Sequence, residues 1–96
     1  MKNKAYQDEN MSKILFSLKN CPKCNQTKDL LENRNDIKIV TYPHELQEWN
    51  KEELNEAKSF SVFEDLQKTA PILWIDGKKI IGYLRIRKWV QDEQNG

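Results

Sequence analysis

At 96 residues the chain is the size of one compact domain, and its net charge of +1 at pH 7 argues against a protein that coats nucleic acid. With 38% hydrophobic and 32% charged residues it reads as a globular, water-facing domain rather than a disordered or membrane chain. No apolar run approaches the roughly 20 residues that span a bilayer, and 2 cysteines are too few for a disulfide framework in a domain of this size.

In chain order, residues 1–12 (MKNKAYQDENMS) form a polar lead-in, expected to be mobile, with Met11 as a second candidate start. They lack the apolar centre of a signal peptide, which predicts a cytoplasmic protein with no membrane contact. KILFSL at 13–18 is a strand. Pro22 suits the first turn of a helix, so a helix is predicted from about Cys21–Lys23 through Arg34, with Leu30 and Leu31 inward. IKIVTY at 37–42 is a second strand, ended by Pro43. A charged helix is predicted from about His44 to Lys58, burying Leu46, Trp49, Leu54 and Ala57 and carrying surface ion pairs of its glutamates with Lys51 and Lys58. SVFEDLQK adds a shorter helical piece. Ile72–Ile75 and Lys79–Ile81 are strands joined by an Asp76-Gly77 turn, and residues 83–93 are a last helix. The expected domain is 13–93, with 94–96 as a tail. The order β-α-β-α-β-β-α implies an α/β fold, helices flanking a small mixed four-stranded sheet.

Cys21-Pro22-Lys23-Cys24 is where the chemistry concentrates. A cysteine pair between a strand and a helix start meets unpaired backbone N–H groups and the positive end of the helix dipole, both of which favour thiolate over thiol. Lys19 and Lys23 add positive charge. The three-residue spacing puts Cys24 one turn behind Cys21, placed to attack a mixed disulfide formed there. A metal-binding reading stands beside this one. Structural zinc takes four ligands, and Cys21, Cys24 and His44 supply only three; a metal or iron–sulfur cluster bridging two copies of the chain would supply more. Inert buried cysteines are a further reading, although Pro22 and Lys23 between them suit an exposed helix start.

These residues, with Thr69-Ala70-Pro71 before a strand and Ile81-Gly82-Tyr83 before the last helix, resemble the glutaredoxin family over about residues 13–91; the closing GYLRIRKWV looks most like its small phage-type members. The resemblance implies a thioredoxin-like fold and a thiol–disulfide oxidoreductase without a bound cofactor. Cys21 would attack a substrate disulfide and Cys24 would resolve it. Pro71 would follow a cis bond and face the cysteines, leaving the backbone of Ala70 to pair with an extended substrate. Lys19, Pro22, Lys23, Gly82 and Tyr83 would complete the substrate contacts. The partners implied are a disulfide-bearing protein, with a ribonucleotide reductase among the candidates, and glutathione or thioredoxin reductase as electron donor to a monomeric protein. Where many family members carry a cation three places before the first cysteine, this chain has Leu18. Where many have Gly-Gly-x-Asp, it has Gly82-Tyr83-Leu84-Arg85. Weak glutathione binding is therefore expected, since each charged group of glutathione needs a placed counter-group. Lys78, Lys79, Arg85, Arg87 and Lys88 make the C-terminal third basic, but no nucleic-acid recognition motif accompanies them.

Overall fold

A computed structural model describes residues 13–95; the predicted lead-in lies outside the described residues. β1 (Lys13–Leu18) runs to α1 (Pro22–Leu30) and then β2 (Lys38–Tyr42). A 3-10 turn at Leu46–Glu48 precedes α2 (Lys51–Ser59) and α3 (Phe63–Lys68). β3 (Ile72–Ile75), β4 (Lys78–Ile81) and α4 (Tyr83–Asn95) complete the order. The strands form one sheet in the order β2-β1-β3-β4, with β1 parallel to β2 and β3 antiparallel to both of its neighbours.

Strand alternation divides the apolar residues between two cores. Ile14 and Phe16 of β1, Tyr42 of β2 and Ile72 of β3 face one side, where they meet Trp49, Ala57, Val62 and Leu66. Leu15 and Leu73 face the other, against Leu31, Ile37, Ile86 and Val90. The first core is rich in aromatic contacts: Tyr42 stacks on Trp49 with ring centroids 4.5 Å apart, and Phe60 meets Trp74 edge-on at 4.9 Å. The Asp76-Gly77 turn has φ +48° and +89°, positive at both positions as a two-residue hairpin of twisted strands requires.

The helix predicted from His44 to Lys58 is two pieces, and the reason is local. Trp49 leaves helical geometry (φ −72°, ψ 137°) to bury its ring and donate its indole N–H to the Pro43 carbonyl at 2.8 Å. Asn50 then restarts the helix through a capping box: its Oδ1 accepts from the Glu53 N–H at 2.7 Å, while Glu53 Oε1 accepts from the Asn50 N–H at 2.9 Å. Leu46, expected inside, is 47% exposed on the 3-10 turn. The predicted ion pairs of Lys51 and Lys58 with the helix glutamates are absent among the described residues. Glu53 is used in the cap, and Glu56 accepts the Tyr42 hydroxyl at 2.7 Å. Burial and that carboxylate hold the Tyr42 phenol well above its ordinary titration range.

The first helix stops at Leu30 rather than continuing to Arg34, and beyond it Arg34 turns onto Asp36. Its Nε and Nη2 donate to the two carboxylate oxygens at 3.0 and 2.9 Å, while the guanidinium lies 5.2 Å from the Trp89 ring centroid of α4. The last helix also outruns its expected end at residue 93. Two of the basic residues near the C-terminus are ion-paired: Lys79 binds Asp65 at 2.6 Å and Lys88 binds Asp92 at 3.5 Å.

Asn50→Ala removes the cap, and the expected loss is about 1 kcal/mol of unfolding free energy, measured by urea denaturation. A second outcome concerns acid. The Arg34 hydrogen bonds hold the Asp36 carboxyl down at about 2. The unfolded chain therefore takes up this proton first, and the stabilisation is present above the ordinary value of 3.8 and lost as pH falls toward about 2. Asp36→Asn should flatten that part of the stability profile, an effect kept small by the 44% exposure of the side chain.

Candidate active site

The end of β1 is turned sharply into α1. Asn20 takes φ +55°, a left-handed conformation that asparagine tolerates better than most residues, and the Lys19 N–H donates to the Tyr42 carbonyl at 2.9 Å. Cys21 is the N-cap in extended geometry, Pro22 holds the first helical position, and the first turn has no acidic residue to offset the positive helix end. The Cys24 N–H donates to Cys21 Sγ at 3.2 Å, so the sulfur occupies the place of a capping oxygen. The two cysteines are joined as a disulfide with Cα atoms 5.2 Å apart. Their exposures differ: Cys21 is half-buried, whereas Cys24 is fully buried and its Sγ accepts the Leu18 N–H at 3.4 Å. Thr27, also buried, ties its hydroxyl to the Lys23 carbonyl at 2.7 Å, one turn back.

The antiparallel register, with Phe16 opposite Ile72, carries residues 70–71 alongside the C-terminal end of β1. The Ala70–Pro71 peptide bond is cis; Pro71 is fully buried and Ala70 is half-buried. The Gly82 N–H donates to the Pro71 carbonyl at 2.9 Å, which brings the start of α4 to the same end of the sheet. Tyr83 opens that helix, and Lys23 Nζ sits 5.2 Å from its ring centroid. The fold thus gathers Cys21, Pro22, Lys23, Cys24, Ala70, Pro71, Gly82 and Tyr83 into one neighbourhood. Lys19 is exposed in the turn that introduces it.

The departures noted in sequence have structural counterparts. Leu84 is 70% exposed in the first turn of α4 and Arg85 is exposed beside it. Leu18 lines a cavity of about 210 Å³ with His44, Leu46, Trp49, Leu66 and Gln67. Sequence reasoning missed this cavity because it placed Leu46 inside a helix; Asn50 with Glu53 three residues on, a capping-box pattern, was the available signal. A larger cavity of about 570 Å³ lies around Lys58, Ser61 and Lys79, toward the Asp76-Gly77 end of the sheet and away from the cysteines. Among the described residues, no three His, Cys, Asp or Glu side chains come together as a metal site, and no helix is long and apolar enough to cross a membrane.

A mixed four-stranded sheet, helices on both faces, and a Cys-Pro-Lys-Cys pair at a helix start define a thioredoxin-like thiol–disulfide protein. The glutaredoxin family model matches residues 14–80, and the chain belongs to that family, whose members are thiol–disulfide oxidoreductases that use glutathione as reductant. The solved structure of reduced Escherichia coli glutaredoxin matches with 27% identity and a TM-score of 0.52, covering 90% of this chain and all of that one. No curated protein sequence matches.

Gly82 has φ +94°, and a Cβ there would meet Thr69 Cγ2 at 3.6 Å, an ordinary contact. The cost of Gly82→Ala is therefore conformational rather than steric, about 1–2 kcal/mol. Urea denaturation should show that loss, and the amide resonances of Ala70, Ile72 and Leu73 should shift because the hydrogen bond from Gly82 to the Pro71 carbonyl is strained.

Proposed function

We propose that the chain reduces protein disulfides, and mixed disulfides of glutathione, in two steps. The Cys21 thiolate attacks one substrate sulfur; the other leaves as a thiolate and takes a proton. The Cys24 thiolate then attacks Cys21 Sγ and expels the bound substrate sulfur. Two electrons pass to the substrate and the protein is left as the Cys21–Cys24 disulfide. Two molecules of glutathione, becoming one glutathione disulfide, or a thioredoxin reductase would return it to the dithiol. The observation that carries this reading is the unequal burial of the pair: Cys21 reaches the surface at a capped helix start and Cys24 lies fully buried beneath it.

Lys19 and Lys23 would favour the Cys21 thiolate and meet carboxylates of a substrate, with Pro22 holding the helix start between them. Ala70 beside Pro71 would offer backbone to an extended substrate strand, and Gly82 and Tyr83 would bound its other side. Glutathione would bind weakly, because Leu18 offers no charge and exposed Arg85 repels its amine. The proposed setting is a monomer in the cytoplasm, with a disulfide-forming enzyme such as a ribonucleotide reductase as a candidate substrate.

Cys21→Ser should abolish disulfide reduction and remove selective alkylation at near-neutral pH. Cys24→Ser should still form mixed disulfides but accumulate a covalent adduct with a protein substrate. Equal alkylation of both thiols in the reduced protein, or full protein-disulfide turnover by Cys24→Ser, would sink these roles. Glutathione titrated into Cys24→Ser should shift the amides of Gly82 to Arg85 only at millimolar concentrations or above.

A further inference from the structure

Leu46 is one of three large hydrophobic residues that are well exposed among the described residues, and its surroundings differ from those of the others. It forms the rim of the 210 Å³ cavity whose remaining wall includes Leu18, Trp49 and Leu66. Leu18 ends β1, and while its side chain lines the cavity its N–H contacts Cys24 Sγ at 3.4 Å, so one residue joins the cavity wall to the dithiol. An apolar cavity of about 150 Å³ already holds a benzene ring, and this one is large enough for a single leucine or phenylalanine side chain. Its lining holds no lysine, arginine or carboxylate. His44, the one titratable residue there, pairs with Glu45 at 3.3 Å. Exposed Glu45 and Glu48 flank Leu46 along the chain, and exposed Lys19 and Lys68 follow Leu18 and Gln67, so charges of both signs border a lining that itself holds neither.

We propose that this cavity is a specificity pocket for protein substrates, taking an apolar side chain that lies close in sequence to the disulfide cysteine and discriminating against acidic neighbours. The inference rests on the thiol–disulfide reading of the Cys21–Cys24 site, which the pocket meets through Leu18. A substrate segment joined to Cys21 and running past Leu18 would meet the exposed Leu46 at the rim of the same cavity. A carboxylate directed into the pocket finds no counter-charge in its lining and would lose its hydration there. The pocket therefore selects a peptide over glutathione by hydrophobic burial rather than by ion pairing.

The test uses two short disulfide-linked peptides, identical except for leucine or glutamate beside the reactive cysteine, and hydroxyethyl disulfide as a small substrate without side chains. The wild-type protein should reduce the leucine peptide with a KM about tenfold below that of the glutamate peptide, the scale of partly burying one leucine. Leu46→Ser should remove most of that difference by raising KM for the leucine peptide, with kcat and hydroxyethyl disulfide turnover unchanged. Ile39→Ser, which alters a 41% exposed residue on the edge strand β2, should leave the preference intact. No preference between the peptides, or a preference that survives in Leu46→Ser, would overturn the pocket while leaving the dithiol chemistry standing. Loss of hydroxyethyl disulfide reduction would be expected only from Cys21→Ser; its persistence there would overturn the dithiol reading instead. Dissociation of a wild-type dimer by Leu46→Ser, seen by sedimentation, would also overturn the proposal by assigning the rim to self-association.

Discussion

The site depends on the hydrogen bond from the Cys24 N–H to Cys21 Sγ, the cap of α1. A helix start leaves backbone donors without partners, and oxygen-bearing side chains normally satisfy them. Here a sulfur does, and the group that completes the helix is also the one proposed to react. The surrounding choices follow from this. Proline at the next position costs nothing because its missing N–H was an orphan. The absence of acid from the first turn keeps the positive helix end directed at the sulfur. Asn20 allows the chain to turn tightly enough to present Cys21 at the surface while Cys24 goes under it.

Two cores hold this arrangement in place, one on each side of the sheet, and the site lies at their shared end. Tyr83 and Gly82 tie α4 to it through Lys23 and Pro71. Farther along, Arg34 ties the loop after α1 to Asp36 and to Glu93 of α4, the latter at 3.5 Å. The two helices on the dithiol face are thus linked at both ends, by aromatic and charged contacts outside the apolar layer that separates them.

Much of this was legible in the sequence. KILFSL before Cys-Pro-Lys-Cys and the Asp-Gly turn each carry a local reason for their geometry, whereas the cis bond before Pro71 was expected only from the resemblance to a family. What was not legible came from competition between elements. Leu46, Trp49, Leu54 and Ala57 recur at helical spacing, but Trp49 gains more by leaving the helix to stack on Tyr42 and reach the Pro43 carbonyl, which are contacts beyond any local pattern. Glu53 and Glu56 read as solvated charge, yet one caps a helix and the other accepts the hydrogen bond of a buried tyrosine. The end of α1 was misplaced as well: the chain leaves the helix through turns after Leu30, and Arg34 pairs with Asp36 beyond them.

The alternation along β1 also governs position. Its residues feed both cores in turn, with Ile14 and Phe16 on one side and Leu15 on the other, and nearly all of the strand is buried. A slip of one residue against β2 or β3 would exchange the two faces and carry the cysteines about 3.3 Å along the strand direction. That displacement is as large as the 3.2 Å contact that caps the helix. The parity of a short apolar strand therefore serves as a ruler: the capping sulfur is located by counting residues through a packed interior, and no intermediate offset is available to it.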